Sequence, residues 1–410
     1  MVRRLQFALG TMRSSFAAFA LILSLLLATV ASTSAFAGEA LFGPEFNFTS
    51  QAIREASRAA GGVTIKLPQS LAAQAKFADL AMKKCPDCKR VEQADKLGYS
   101  QFKIQHPDGW SFFVSIDPGV VEVQTDPMTA AQIASREGEI QRLIFDVAKE
   151  TGLYSHDGAG HIHIGVDSAF GANVLLFRNF LADWLTHSKM AYDIFDADKN
   201  NAPTVDMIGE GALGLLKEIF AKFDASQIWS RAAARSGAAG FIQMKWLEIR
   251  DRMNQPSLET AFKTTPRGRE MLDLSKAILG FVYCKTCSKY GPPEKYQNTN
   301  LLRMTEQQTT EQRTVELRSA PEVRTASQYT SLTRLLQGRI NYLSRMKTPL
   351  KFEMIKQAAH PNESVDLFFE YASRSGVPWK TVAPLMVQKY RVIGPSSKLN
   401  FCADVFASAI

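Results

Sequence analysis

The chain has only five cysteines and six histidines in 410 residues, and it lacks the short loops that mark most nucleotide-dependent and hydrolytic enzymes. It has no Walker loop, no Gly-x-Ser-x-Gly elbow and no His-Glu-x-x-His helix. Those absences exclude the P-loop, serine-hydrolase and zincin routes, each of which needs its loop or helix to place a phosphate, a nucleophile or a metal. Internal repeats and low-complexity tracts are missing too. Charge of one sign is not concentrated: 48 Lys and Arg stand against 40 Asp and Glu, and Arg3, Arg4 and Arg13 supply part of that excess. Without a basic stripe, nucleic acid is not an expected partner. Beyond the N-terminal region no apolar run is long enough to span a bilayer.

That N-terminal region reads as an export signal. Three arginines precede or flank an almost uninterrupted apolar run over residues 16–30, and Ala35-Phe36-Ala37 has the small-x-small pattern that signal peptidase cleaves. Met12-Arg13-Ser14 offers a second start, with a more compact signal. The run is short for a membrane span, and no cysteine sits near the cleavage site to take a lipid. The expectation is a signal peptide over residues 1–37 and a mature chain over 38–410, periplasmic or secreted, with no stable membrane insertion after cleavage.

The cysteines form two close pairs and one remainder: Cys85-Pro86-Asp87-Cys88, Cys284-Lys285-Thr286-Cys287, and Cys402. Two C-x-x-C knuckles can hold one tetrahedral zinc, and an exported chain equally accommodates disulfides. Both readings are open, and both are structural. A thioredoxin-like role is disfavoured because neither pair opens a helix in a βαβ setting.

Periodicity predicts strands over residues 41–49, 102–105, 110–116 and 120–125, with a turn at Asp117-Pro118-Gly119. Helices are predicted over 51–60 and 70–84, and again from a cap at Asp126-Pro127 to about 150, with Ile133, Ile140, Leu143, Ile144 and Val147 on one face. From residue 174 to about 280 the pattern is mainly helical, and its aromatic and leucine stripes read as packing rather than as a cofactor box. Residues 298–304 and 314–318 return to strand, 305–312 form a polar loop, and 326–410 are mostly helical. Antiparallel strands interspersed with helices make the class α+β.

Two segments carry the chemistry. In Gly160-His161-Ile162-His163-Ile164-Gly165 and Arg313-Thr314-Val315-Glu316-Leu317-Arg318, polar groups occupy alternate positions of strand-like stretches. Side chains alternate faces along a strand, so His161 and His163 share a face, as do Glu316 and Arg318. Glu45 with Asn47, and Glu122, stand likewise on other predicted strands. Singly, each segment reads as an edge strand, a satisfied core histidine or a salt-bridged glutamate. Brought together, three carboxylates, two imidazoles and a guanidinium would share one sheet face. Such a face holds a hard divalent cation, because gathered carboxylates without one repel each other.

The order of these motifs resembles the glutamine synthetase and glutamate–cysteine ligase superfamily, and within it the amidoligases. The supporting residues are Phe42-Gly43-Pro44-Glu45-Phe46-Asn47-Phe48, Glu122-Val123-Gln124-Thr125-Asp126-Pro127, residues 160–165, and Asn300 with residues 314–318. The resemblance implies a curved antiparallel sheet forming a funnel, flanked by helices, with a helical insertion at about 174–280 and a helical C-terminal region. It implies Mg²⁺ or Mn²⁺ and ATP as cofactors, and a small-molecule or peptide carboxylate and an amine as partners, joined through an acyl phosphate. Glu45, His161 and Glu316 would hold the metal nearer the nucleotide. Glu122, with Asn47, would hold the metal nearer the substrate. His163 would contact phosphate, and Arg318 phosphate or the substrate carboxylate. Arg313 has no secure counterpart in the pattern. Asn47 stands where a second glutamate is expected, which predicts a weaker substrate-side metal.

ATP is scarce outside the cytoplasm, which sits awkwardly with an export signal. Two other readings therefore stand beside the ligase: a metal-dependent hydrolase of amides or cell-wall peptides, with His156, Asp157 or Glu122 completing a His161–His163 site, and a catalytically silent binder of amino acids or peptides on the same fold.

Overall fold

The computed structural model describes residues 38–62, 66–94, 100–156, 161–187, 190, 194–195, 210–227, 266–281, 299–306, 313–352 and 361–386. The predicted signal peptide, the second cysteine pair, Cys402, and the polar loop at 307–312 lie outside them. Gly38–Ile410 form one unit. No helix among the described residues is long and apolar enough to cross a membrane.

Among the described residues, ten strands make one sheet. They are β1 (Leu41–Thr49), β2 (Lys89–Ala94), β3 (Ser100–Gln105), β4 (Ser111–Asp117), β5 (Val120–Thr125), β6 (Met128–Thr129), β7 (Tyr154–Ser155), β8 (His161–Gly165), β9 (Thr299–Asn300) and β10 (Thr314–Leu317). The order is β2-β3-β4-β5-β1-β8-β10-β9, with β6 and β7 also paired to β1. All these pairings are antiparallel. The sheet is neither closed nor strongly curled, so the expected funnel appears as an open antiparallel sheet flanked by helices.

β1 is the central strand, and its sequence explains why. Phe42, Phe46 and Phe48 are buried on one face while Gly43, Glu45 and Asn47 point to the other. Pro44 cannot donate to a ladder, and it falls where the partner of β1 changes from β6 to β5.

Behind the apolar face lie α1 (Gln51–Ala59), α2 (Pro68–Lys84), α3 (Ala130–Ser135), α4 (Glu137–Ile140), a π-helical turn at Gln141–Phe145 and α5 (Asp146–Glu150). α6 (Val166–Phe170), α7 (Val174–Thr186), α8 (Glu210–Ser226), α9 (Pro266–Phe281) and α10 (Leu302–Glu306) follow. α11 (Ala326–Ser344), α12 (Pro361–Arg374) and α13 (Trp379–Val382) complete the described helices. Phe46 meets Phe145 at 5.0 Å and Tyr329 of α11 at 5.3 Å, both edge-on, and Phe48 faces Phe77 of α2 at 6.2 Å. Ile133, Ile140, Leu143, Ile144 and Val147 are all buried in this layer, as their spacing predicts.

Three local expectations need correction. The strand predicted over 298–304 is only Thr299–Asn300 among the described residues, and the helix Leu302–Glu306 takes its residues 302–304 and the first two residues of the loop predicted over 305–312. The helix predicted from Asp126-Pro127 starts later: Thr129 is its N-cap, in a reciprocal capping box with Gln132. Asp126 is engaged elsewhere, its carboxylate accepting from the Ser111 amide at 2.9 Å and from the Ser111 hydroxyl. That ties the end of β5 to the start of β4 and frees Met128–Thr129 to pair with β1. The third correction is β2, which the apolar pattern did not reveal because every one of its residues is exposed. Its existence rests on ladder bonds to β3, not on burial.

Candidate metal and phosphate site on the sheet

Register decides which polar groups meet. Glu45 of β1 lies opposite Gln124 of β5 on one side and His161 of β8 on the other, and Asn47 lies opposite Glu122. His163 lies opposite Gly43 and Glu316, and Glu316 opposite Asn300. All these residues therefore project from the face opposite the phenylalanines. Gly43, across from His163, leaves room beside that imidazole: a Cβ there would sit 3.8 Å from its Cβ.

The side chains converge. His163 Nε2 is 2.9 Å from Glu45 Oε1, and His161 Nδ1 is 3.2 Å from Glu45 Oε2 and 3.7 Å from Glu316 Oε1. Glu316 is 5 % exposed and accepts from Arg318 and from the Asn300 amide, each at 2.6 Å. Gln124 donates to Glu122 at 2.6 Å and reaches Glu45 at 3.3 Å, so one amide links the two acids. Thr314 Oγ1 lies 2.9 Å from His163 Nδ1 and orients that ring.

Burial would raise the Glu45 carboxyl, but the His163 charge, followed by the hydrogen bonds from both imidazoles, outweighs it and holds the group well below the usual glutamate range. Glu316 is likewise raised by burial and pulled down further by Arg318 and then His163, ending below the ordinary value. Both acids thus stay ionised. The Nε2 atom of His161 is buried and has no hydrogen-bond partner among the described residues. That ring also borders a cleft with Glu45, Asn47, His156 and Glu322. An unsatisfied imidazole nitrogen beside a cleft is available to a ligand oxygen or a cation.

A divalent cation fits the donor set. One ligand atom from each of Glu45, His163 and Glu316 lies within 4.8 Å of the others, close enough to share an ion. Two carboxylates with imidazole suit Mg²⁺ or Mn²⁺, the nitrogen favouring Mn²⁺.

Of the residues singled out from sequence, Glu45, His161, His163, Glu316 and Arg318 form this cluster. Glu122 and Asn47 adjoin it through Gln124 and the register. Arg313 is buried, 2 % exposed, and interacts electrostatically with Asp167. Cys85 and Cys88 are disulfide-bonded to each other beside β2, several strands away from the cluster. Cys284, Cys287 and Asp157 lie outside the described residues. Sequence reasoning missed Gln124, Thr314 and Arg303, whose guanidinium is 3.9 Å from Glu45. The period-two rule that paired His161 with His163 also pairs Glu122 with Gln124, so that signal was present; Arg303 on α10 had none.

Comparison with protein-family models gives no match, and comparison with curated proteins gives none either.

Proposed function

We propose that this protein is a carboxylate–amine ligase of the amidoligase type, using ATP and Mg²⁺ or Mn²⁺ to form an amide through an acyl phosphate. With that reading comes a glutamine synthetase-like use of the sheet, in an opened and shallow form. The observation that supports it is the convergence of Glu45, Glu316, His161, His163 and Arg318 on one polar face that helices back from behind.

Glu45, Glu316 and His163 would hold the cation, which supplies charge neutralisation to the nucleotide phosphates. The two imidazoles thereby exchange the roles that family resemblance gives them. His161, which lines the cleft and whose Nε2 has no hydrogen-bond partner among the described residues, hydrogen-bonds a phosphate oxygen. Arg318 keeps Glu316 ionised and offers positive charge to the transferred phosphoryl group. The substrate carboxylate oxygen attacks the γ-phosphorus and ADP leaves; the amine nitrogen then attacks the acyl carbon, phosphate leaves, and the nitrogen loses a proton. Glu122, at the rim of the cluster and linked to Glu45 by Gln124, is placed to accept that proton. Phosphoryl transfer asks for positioning and charge more than for covalent chemistry, and acids, imidazoles and a guanidinium can supply both.

The test is thermal unfolding of the purified protein with Mn²⁺, with a non-hydrolysable ATP analogue, and with both. Saturation at about 100 times the dissociation constant adds about 2.7 kcal/mol, a readily measured shift. His161→Ala is expected to lose the nucleotide-dependent part while retaining the fold. Stabilisation by Zn²⁺ alone would favour the hydrolase, and no response to any cation or nucleotide would leave only the binding protein. Release of phosphate from ATP that depends on both a carboxylate and an amine would complete the assignment.

A further inference from the structure

We propose that Cys85, Cys88 and His106 form a redox-gated zinc site, closed to metal while the disulfide stands and open once it is reduced. The site is separate from the polar cluster on β1, β8 and β10 and does not depend on the ligase reading.

One ligand atom from each of Cys85, Cys88 and His106 lies within 4.8 Å of the others. Both cysteines are 5 % exposed and the His106 side chain is 8 % exposed. The sheet edge brings them together. Cys88 directly precedes β2, His106 directly follows β3, and Lys89 pairs with Gln105, so the register carried one step further sets Cys88 across from His106. A tight turn holds the imidazole: Gly109, at φ +84°, donates to the His106 carbonyl at 3.0 Å, and Trp110 stacks on the ring at 5.5 Å.

The supporting groups are those of a zinc site. His106 Nδ1 accepts from the Asp108 amide at 3.3 Å and lies 3.5 Å from an Asp108 carboxylate oxygen, while Nε2 is 3.6 Å from Glu139, so an acid stands near each ring nitrogen. That is the carboxylate–histidine–zinc pattern which fixes the tautomer and raises ligand basicity. Glu139 is itself held by Trp110 Nε1 at 3.2 Å. Cys85 is the C-cap of the 17-residue helix α2, whose negative end favours a cation; the Lys84 carbonyl there already receives the Arg142 guanidinium. The same field opposes a free thiolate. These surroundings therefore favour a metal-bound dithiolate over a nucleophilic redox cysteine.

The chemistry balances as follows. A dithiol reductant supplies two electrons and two protons, the Sγ–Sγ bond breaks, and the reductant leaves as its own disulfide. Zn²⁺ then displaces the two thiol protons to solvent, with Cys85, Cys88 and His106 as ligands and water or the Asp108 carboxylate in the fourth position.

The test uses the chain carrying Cys284→Ser, Cys287→Ser and Cys402→Ser, so that any thiolate signal comes from the first pair. Cobalt(II) is titrated before and after reduction with a phosphine. Only the reduced protein is expected to show the thiolate-to-cobalt charge-transfer band and tetrahedral visible bands, at one equivalent per chain and bleached by Zn²⁺. His106→Ala should weaken cobalt binding by at least the roughly 10–100-fold that a lost supporting partner costs. A protein whose two thiols are shown free yet gives no charge-transfer band overturns the site. Undiminished affinity in His106→Ala overturns the role of that histidine.

Discussion

Glu316→Gln tests the electrostatic logic of the cluster most directly. Glu316 is 5 % exposed and its two oxygens are separately committed, one to Arg318 and one to the Asn300 amide, each at 2.6 Å. Arg318 is itself 4 % exposed, so removing the carboxylate charge takes from a buried guanidinium its 2.6 Å pairing with Glu316. Opposite charges about 4 Å apart at an effective dielectric of about 20 attract by about 4 kcal/mol, which agrees with the roughly 3–5 kcal/mol lost when one member of a buried pair is removed. Glutamine also brings a donor. Asn300 cannot turn its amide to accept it, because its Oδ1 already accepts from the Leu302 amide at 2.9 Å. One donor–donor contact is therefore forced, and the loss stays near the upper end of that range. At about 2 °C per kcal/mol for a protein of this size, the midpoint should fall by about 8 °C at pH 7. The pH dependence gives the sign. The Glu316 carboxyl is held below its ordinary value, so its contribution is fully present above the unfolded pKa and is lost as pH falls through the folded one. The gap between parent and variant should stay constant from pH 8 to 6 and close below roughly pH 4. Glu316→Leu combined with Arg318→Met should recover most of the loss, since replacing both members of a buried pair is often neutral. Thermal unfolding followed by tryptophan fluorescence reads all of this. A Glu316→Gln midpoint within about 2 °C of the parent at pH 7, or a gap that persists undiminished in acid, would refute the reasoning.

Two further outcomes follow from neighbouring residues. Asp167 is pushed up to about 6 by burial, against the pull of Arg313. A carboxyl whose folded pKa exceeds its unfolded one costs stability as pH rises between the two values, so Asp167→Asn should melt above the parent at pH 7.5 and together with it near pH 4. Partial exposure limits the gain to about 1 kcal/mol; a midpoint below the parent's at pH 7.5 would count against it. Asn47→Glu sets a second carboxylate directly across from Glu122 in the β1–β5 pair. Like charges at opposed positions cost about 0.2–1 kcal/mol, so the variant should be less stable without metal and should regain that loss in Mn²⁺. Unchanged Mn²⁺ affinity, measured by calorimetry, would remove Asn47 from the site.

Strand and site face were legible in the chain because alternation is a local property. β1 and β5 match their predicted limits of residues 41–49 and 120–125, since phenylalanine or valine on every second residue leaves little choice of face. The same rule put His161 beside His163 and Glu316 beside Arg318. Where burial does not accompany structure, the pattern was silent. β2 has no buried residue, and its ladder is a gain from pairing that no window of sequence displays. The start of α3 was misplaced because Asp126 and Thr129 are both good caps, and only the Ser111 contact decides between them.

By itself the sequence determined an α+β chain with apolar strand faces, helices at 3.6-residue spacing and polar residues on alternate positions of widely separated segments, because each of these follows from neighbours within a few residues. It also held two cysteine pairs open between zinc and disulfide. Strand order and register, which no window of sequence displays, set β1 between β5 and β8, so that Glu45 meets both imidazoles and Glu316 meets Asn300; folding likewise bonds Cys85 to Cys88 with His106 alongside. Apart from the Cys85–Cys88 bond, those meetings join residues more than a hundred positions apart or depend on the register of a pairing. Shifting a strand's register by one residue would send its side chains to the opposite face.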